Sequence, residues 1–169
     1  MAAKLKRMLC CAMAATCLWA TACTNLTSVT AGTSAADVAS SRGKPFRVWP
    51  EASGASSWEY PMGPMGHYTY MVRVGTDGRV TRVDQVLDWP YFNTLTQGMK
   101  SDEIEHVLGR PYRTSYMPMM AENVMSWRWI ETIWPRCFFA YLDPSGRLLR
   151  TGVKDEEVGD TGTLASSPC

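Results

Sequence analysis

Few side chains in this sequence have the type and spacing that catalysis or metal binding needs. There are two histidines, His67 and His106. His106 stands between Glu105 and Val107, off the apolar stripe of its segment, which predicts a solvated helix residue weakly paired with Asp102 one turn back. His67 falls in a Gly/Pro-rich loop ahead of a strand, a structural or exposed position. No metal-ligand spacing joins either histidine to Cys137. No nucleophile, histidine and acid form a set that the sequence defends, and no glycine-rich loop follows a strand to cradle phosphate. The acidic run Asp155-Glu156-Glu157 reads as solvated tail rather than a calcium site. A net charge of +1 leaves no footprint for nucleic acid. The expectation is a protein that is not an enzyme and holds no metal.

The six cysteines say more. Lys4, Lys6 and Arg7 precede an apolar run from Met8 to Ala22, and residues 1–22 read as a secretory signal. The run falls short of the ~20 apolar residues of a spanning helix. Ala20-Thr21-Ala22 is a small-x-small cleavage site, and Cys23 follows it directly. This resembles a bacterial lipobox, with Ala20 where leucine is usual. It marks the Cys23 thiol for a diacylglycerol before cleavage and a further acyl chain after it. Palmitate-like chains contribute about 0.8 kcal/mol per buried CH₂, so several anchor firmly. Ordinary signal cleavage at the same bond is the alternative. Thr24, rather than aspartate, comes next, and by resemblance to Gram-negative sorting this points to the outer membrane, facing the periplasm. Loss of the signal removes Cys10, Cys11 and Cys17 and takes the charge from +1 to −2. Cys137 and Cys169 then remain, an even pair in an oxidising compartment. They form either a disulfide that pins the tail or two free thiols. No cofactor is implied beyond the lipid on Cys23.

The element that organises the rest runs from Gly98 to Pro111. Ile104, Val107 and Leu108 fall at i, i+3 and i+4. Ser101 can cap the start, with Asp102 and Glu103 favoured in the first turn by the helix dipole. Gly109 suits a left-handed stop, and Pro111 forbids continuation. So short a helix is unstable alone, and needs a sheet to lie on. Gly32, Val38, Gly43 and Pro45 repeat Gly98, Ile104, Gly109 and Pro111 in order, and Gly78-Arg79 anticipates Gly146-Arg147. This reads as a tandem duplication of a unit of about 65 residues.

In the first unit, residues 23–87, Thr24 to Ser41 is either a flexible tether or, within residues 32–45, a weak helix capped by Ser34 with Asp37. Trp58 and Tyr60 alternate, as do Tyr68, Tyr70, Val72 and Val74. Asp77-Gly78 makes a hairpin turn, and Val80 to Leu87 returns as a third strand. In the second unit, residues 88–153, Pro90 opens a short helix through Phe92 and Leu95. The Gly98–Pro111 helix follows. Tyr112 to Val124 reads as an irregular link. Trp127–Ile133, Phe138–Leu142 and Leu148–Val153 are the strands, with Asp143 to Gly146 as turn. Residues 154–169 read as a polar, disordered tail. The fold class is α+β, two tandem helix-helix-three-stranded antiparallel units, the first with degenerate helices.

Phe92-x-x-Leu95-x-x-Gly98-Met99, Glu103-Ile104, Leu108-Gly109-x-Pro111, Trp127-x-Trp129 and a strand reaching Gly146-Arg147 together resemble the SmpA/OmlA (BamE-like) outer-membrane lipoproteins. The doubled arrangement also resembles the β-lactamase inhibitor protein. Lys100 departs from the family, which has a threonine cap there, and so does the doubling. The resemblance implies structural roles for Gly98, Met99, Ile104, Leu108, Gly109, Pro111 and Trp127, with helices on one face of each sheet. Tyr70, Val72, Val74, Phe138, Ala140 and Leu142 would face the helices. Met71, Arg73, Cys137, Phe139 and Tyr141 have the opposite parity. Met71, Arg73, Phe139 and Tyr141 then form either a partner-binding face, since aromatics concentrate binding energy, or a face covered by the tail or the other unit. The functional expectation is a lipid-anchored envelope scaffold that binds outer-membrane or periplasmic proteins, accessory to outer-membrane protein assembly or envelope integrity. A secreted inhibitor of a periplasmic or extracellular enzyme is the alternative.

Overall fold

In the first sheet, Trp58, Tyr60 and Met62 alternate with Ser57, Glu59 and Pro61, and Tyr70, Val72 and Val74 alternate with Thr69, Met71 and Arg73. Period two sends each set to one face of a strand. The computed structural model, which describes residues 26–63, 65–156 and 169, forms strands there. Strands β2 (Ser56–Met62) and β3 (Tyr68–Val74) pair antiparallel, with Trp58 opposite Val72 and Tyr60 opposite Tyr70. β4 (Val80–Gln85) returns along β3, and β1 (Arg47–Pro50) adds to the other side of β2, giving the order β1-β2-β3-β4. Helix α1 (Ala35–Arg42) follows a 3₁₀ turn at Leu26–Ser28 and starts at Ser34, whose hydroxyl accepts from the Asp37 N–H. Its Val38 is buried in one cluster with Leu26, Tyr60, Val72, Val74 and Val80.

The second half repeats this order of elements with heavier apolar residues. Helices α2 (Trp89–Phe92) and α3 (Ser101–Leu108) precede β5 (Arg113–Met117), β6 (Glu122–Glu131), β7 (Trp134–Leu142) and β8 (Leu148–Asp155), again antiparallel in sequence order. Phe92, Ile104 and Leu108 enclose a core with Met125, Trp127, Trp129, Phe138, Ala140, Leu142 and Leu148. Phe92 stacks on Phe138 with ring centroids 4.0 Å apart.

Matching backbone bonds clamp α1 and α3 to the hairpins behind them. Gly32 N–H donates to Val80 C=O (2.7 Å), and Gly98 N–H to Leu148 C=O (2.8 Å). Val80 N–H donates to Thr33 C=O and Leu148 N–H to Met99 C=O, both at 2.8 Å. Ala35 N–H reaches Gly78 C=O (2.9 Å) and Ser101 N–H reaches Gly146 C=O (3.0 Å). The guanidinium groups of Arg79 and Arg147 reach back to the carbonyls of Gly32 (2.9 Å) and Gly98 (3.1 Å).

Several expectations change. Each sheet has four strands, not three. The added ones are β1 and β5, and β5 occupies part of the stretch read as an irregular link. β5 is exposed along its whole length, so no alternation betrays it; pairing with β6 makes it a strand. Ser101 is the first residue of α3 and does not cap it. Lys100 holds the cap position, and its N–H is satisfied by the Glu103 carboxylate at 2.7 Å. Ile133 lies in a turn, after Thr132 at φ 60°. The chain stays in β8 through Asp155, and Glu156 is buried rather than solvated. Residues 1–22, the lipidation candidate Cys23 and the tail residues 157–168 lie outside the described residues. No helix among those described is long and apolar enough to cross a membrane.

Candidate functional site

The outer face of the first sheet meets the C-terminal end of α3, and a connected set of polar contacts runs along this seam. Gly109 ends α3 with φ +76°, and its carbonyl accepts from Trp127 Nε1 at 3.0 Å. The next N–H, of Arg110, donates to Glu59 Oε1 at 2.7 Å, while Glu59 Oε2 accepts from Trp49 Nε1 at 3.3 Å. Glu59 is fully buried. A carboxylate removed from water needs such donors, so it acts as a bolt between β2 and the stop of α3.

Along the seam, Ser57 Oγ donates to Glu51 Oε1 (2.5 Å), and Arg73 Nη1 donates to that carboxylate (2.9 Å) and to Ser57 Oγ (2.6 Å). His106 Nε2 meets the same Glu51 oxygen at 3.1 Å and stacks on Trp49 at 5.0 Å. The Arg47 guanidinium lies 4.7 Å over Trp49 and pairs with Glu105 at 2.6 Å. The Ser57 bond holds the Glu51 carboxyl below the ordinary carboxylate value, against burial, with His106 and Arg73 adding to it. Serine, glutamate and histidine are all present, but the carboxylate stands between hydroxyl and imidazole. A base that activates a serine must touch it, so this order forms an ion-pair network. His106 is thus a seam residue, still 36% exposed, and meets Glu51 where its sequence position suggests a weak pairing with Asp102.

The seam opens at one end into a groove of about 400 Å³, lined by Pro61, Met62, Gly63, Met65, Gly66, Arg110, Tyr112 and Arg128. Its two arginines stack on aromatics: Arg110 lies 4.5 Å from the centroid of Phe46, and Arg128 4.9 Å from that of Tyr112. Arg128 also pairs with Glu156, which His67 Nε2 meets at 2.9 Å. Burial pushes the Glu156 carboxyl up, but the bonds from Arg128 and His67 outweigh it, and it titrates below the ordinary value. Phe46 and Tyr112 are about half exposed, at 49% and 50%. Arg128 is 3% exposed and its charge is met by Glu156, so Arg110 and Tyr112 are the accessible pair, of the residue types that dominate binding hot spots.

The structure separates the residues expected to share a partner-binding face. Met71 is fully buried, because α3 and its stop cover the outer face of the first sheet. Arg73 is tied into the Glu51 network. Phe139 is 8% exposed, and Tyr141 is half-buried with Arg150 3.9 Å over its ring. Cys137 and Cys169 are disulfide-bonded with Cα atoms 5.5 Å apart, and Cys169 packs with Val124 and Phe139 on that outer face. These four residues are therefore not one open surface. Ile104, Leu108 and Trp127 lie in the second core, with Met99 packed against it; Gly98 and Gly109 make the clamp and stop bonds given above. Pro111 lines a smaller hollow beside Arg110 and Tyr112.

Sequence reasoning missed Phe46, Glu59, Arg110, Tyr112 and Arg128. A signal existed for two of them: Glu59 sits between Trp58 and Tyr60, and Arg128 between Trp127 and Trp129. A charge flanked by aromatics in a strand faces away from one core and needs a partner on the other side.

The chain is a two-sheet α+β protein with a groove lined by Arg110, Tyr112 and Arg128. No group of three metal-ligating residues is assembled among the described residues. No family model matches the chain, and no curated protein sequence matches it. Three solved structures are similar to it. A candidate osmotically inducible lipoprotein OsmE is 21% identical with a TM-score of 0.36, over 39% of this chain and 70% of its own. A candidate β-lactamase inhibitor protein from Streptococcus mutans is 15% identical with a TM-score of 0.30, over 78% and 88%. A DUF4309 family protein (YjgB) from Bacillus subtilis subsp. subtilis str. 168 is 16% identical with a TM-score of 0.29, over 72% and 77%. At these scores the likenesses carry no functional argument.

Proposed function

We propose that the protein is a non-enzymatic envelope lipoprotein, anchored through Cys23 in the outer membrane and facing the periplasm, that binds other proteins through the groove at the seam. The groove carries this reading: Arg110, stacked on Phe46, stands beside Tyr112 and Met62 in one open hollow, with the buried Arg128 set against the Tyr112 ring. The small-residue site ahead of Cys23 supports the anchor. The paired clamps support a duplicated unit of the BamE-like kind, and an accessory role in outer-membrane protein assembly or envelope integrity follows from that resemblance.

Two measurements test it. Intact-mass analysis of the fractionated native protein should find acyl mass in the outer membrane, and Cys23→Ala should be soluble or unprocessed. An unmodified soluble protein beginning at Cys23 overturns the anchor. In-cell crosslinking should yield a discrete partner that Arg110→Ala and Tyr112→Ala lose while the protein stays folded; a partner held unchanged overturns the groove. A second reading, an inhibitor that plugs an enzyme's cleft, is favoured by the β6–β7 turn, where Ile133 and Trp134 stand 72% and 67% exposed. Loss of the partner on Trp134→Ala alone would select it.

A further inference from the structure

Four strands end the two sheets, and three of these edges are guarded. β1 contains Pro50 and is bound to α3 through Arg47 and Trp49. β4 carries Arg82 and Asp84, with a bulge opposite its start between Arg73 and Val74. β8 carries Arg150, Lys154 and Asp155, with a bulge between Tyr141 and Leu142. Charges, proline and bulges are the usual defences of an edge. β5 has only Arg113 at its start, is regular against β6, and is exposed on both faces from Arg113 to Met117. Among the described residues no strand pairs its outer side.

From this edge we infer that the protein forms a homodimer in which β5 pairs antiparallel with β5 of a second copy about a two-fold axis at Ser115. The sequence of the strand complements itself in that register. Thr114 of each copy faces Tyr116 of the other, a β-branched–aromatic pair of the kind that stabilises antiparallel sheets. Arg113 faces Met117, so the one charge of the strand meets a neutral neighbour and never its own copy. Beyond the strand, the turn at Pro118 and Met119 comes beside Pro111 and Tyr112 of the other copy. Met119 is fully exposed and Tyr112 half exposed in the single chain, so the apolar surface at each end of β5 covers that at the other. The interface is isologous, as a closed dimer requires. It shares Tyr112 with the groove, so dimer and groove partner compete for that ring, but it does not rest on the role of the groove.

The test is a charge swap on the full-length protein, read by native mass spectrometry after release from detergent. The wild type should show dimer at concentrations on the order of 100 μM, the weak end of specific association. Ser115→Lys and Ser115→Asp each place like charges directly opposite one another and should lower the dimer about tenfold. An equimolar mixture, with the Ser115→Asp protein labelled with nitrogen-15, should restore a heterodimer. Ser115 is exposed, so both variants should keep the wild-type melting temperature, checked by circular dichroism. A wild type that stays monomeric overturns the inference. So does a dimer indifferent to both substitutions, or a mixture that forms no heterodimer.

Discussion

Helices α1 and α3 are fastened to their sheets by corresponding backbone bonds and loaded very differently. Each is preceded by a glycine whose N–H bonds the strand after the hairpin, and each is crossed by an arginine from the hairpin turn. Yet α1 buries Val38 alone, whereas α3 buries Ile104 and Leu108 and is joined by Phe92 of α2. The clamp is a matter of turn chemistry and repeats wherever the glycines and the Gly-Arg pair repeat. Stability depends instead on buried apolar area, at about 25 cal/mol per Å². The second half should therefore set global stability, while the first is the softer end.

The largest effect expected is in the second core. Phe92 is 3% exposed, stacked on Phe138 and edge-on to Trp129. Phe92→Ala should cost about 3–5 kcal/mol by chemical denaturation, in the range for buried aromatics. Val38→Ala removes far less surface and should cost about 1–2 kcal/mol. Equal losses would mean that α1 carries as much of the stability as α2. Amide exchange should agree: α1 amides should open at a lower free energy than those of α3.

The disulfide adds to this asymmetry, since Cys137 and Cys169, 32 residues apart, both belong to the second half. Replacing both by serine should cost about 2–4 kcal/mol, checked by denaturation with and without reductant. If the loss instead falls on the amides of α1, the two halves are coupled more tightly than their cores suggest.

Much of this architecture is legible in residue order. The alternation through Trp58 and Tyr60 and through Tyr70 to Val74 gives strands and faces, and Phe138, Ala140 and Leu142 face the helices as their parity requires. β1 and β5 are not legible: one is four residues ending in proline with its apolar Val48 half exposed, the other is exposed throughout. Parity also names Met71 and Phe139 as outward-facing, and cannot say what lies over them. Glu156 has the local look of a solvated charge. Its burial depends on Arg128, 28 residues earlier, and His67, 89 residues earlier. The groove is hidden for the same reason, since Phe46, Arg110 and Arg128 come from three segments that only tertiary packing brings together.

The helix stops Gly43 and Gly109 also differ in what surrounds them. Both stop their helices at similar angles, φ +82° and ψ −179° against φ +76° and ψ −176°, a region nearly closed to residues with a Cβ. Alanine should therefore cost about 1–3 kcal/mol of strain at either. A Cβ at Gly43 meets nothing within 4 Å, whereas at Gly109 it lies 2.7 Å from Thr69 Cγ2 and 3.0 Å from Glu59 Oε1. Glu59 is held by two donors and cannot withdraw freely, so Gly109→Ala should carry about 1–3 kcal/mol more, for overpacking. Equal losses in thermal unfolding would show the seam to be looser than its bonds indicate.

The smallest effect concerns how acid loosens the seam. Glu51 titrates below its ordinary value, through its bond from Ser57 first, against burial, and through His106 and Arg73. A folded value depressed below the unfolded one means that the native state binds fewer protons than the unfolded chain in that window. The contribution is complete above the unfolded value of about 4.3. It is lost as pH falls through the lower folded value. Glu51→Gln removes that titration, so its melting temperature should fall less steeply than that of the wild type below about pH 4.3. Above pH 6 the variant should be less stable, by an amount kept modest because Glu51 is 29% exposed and solvent screens its partners. Glu156 also titrates low, yet it sits at the groove end of the seam, paired with Arg128 and His67. It should keep an acid limb of its own in the Glu51→Gln protein. If that limb vanishes with Glu51, the two clusters open as one unit, and the seam is a single cooperative joint rather than two separate latches.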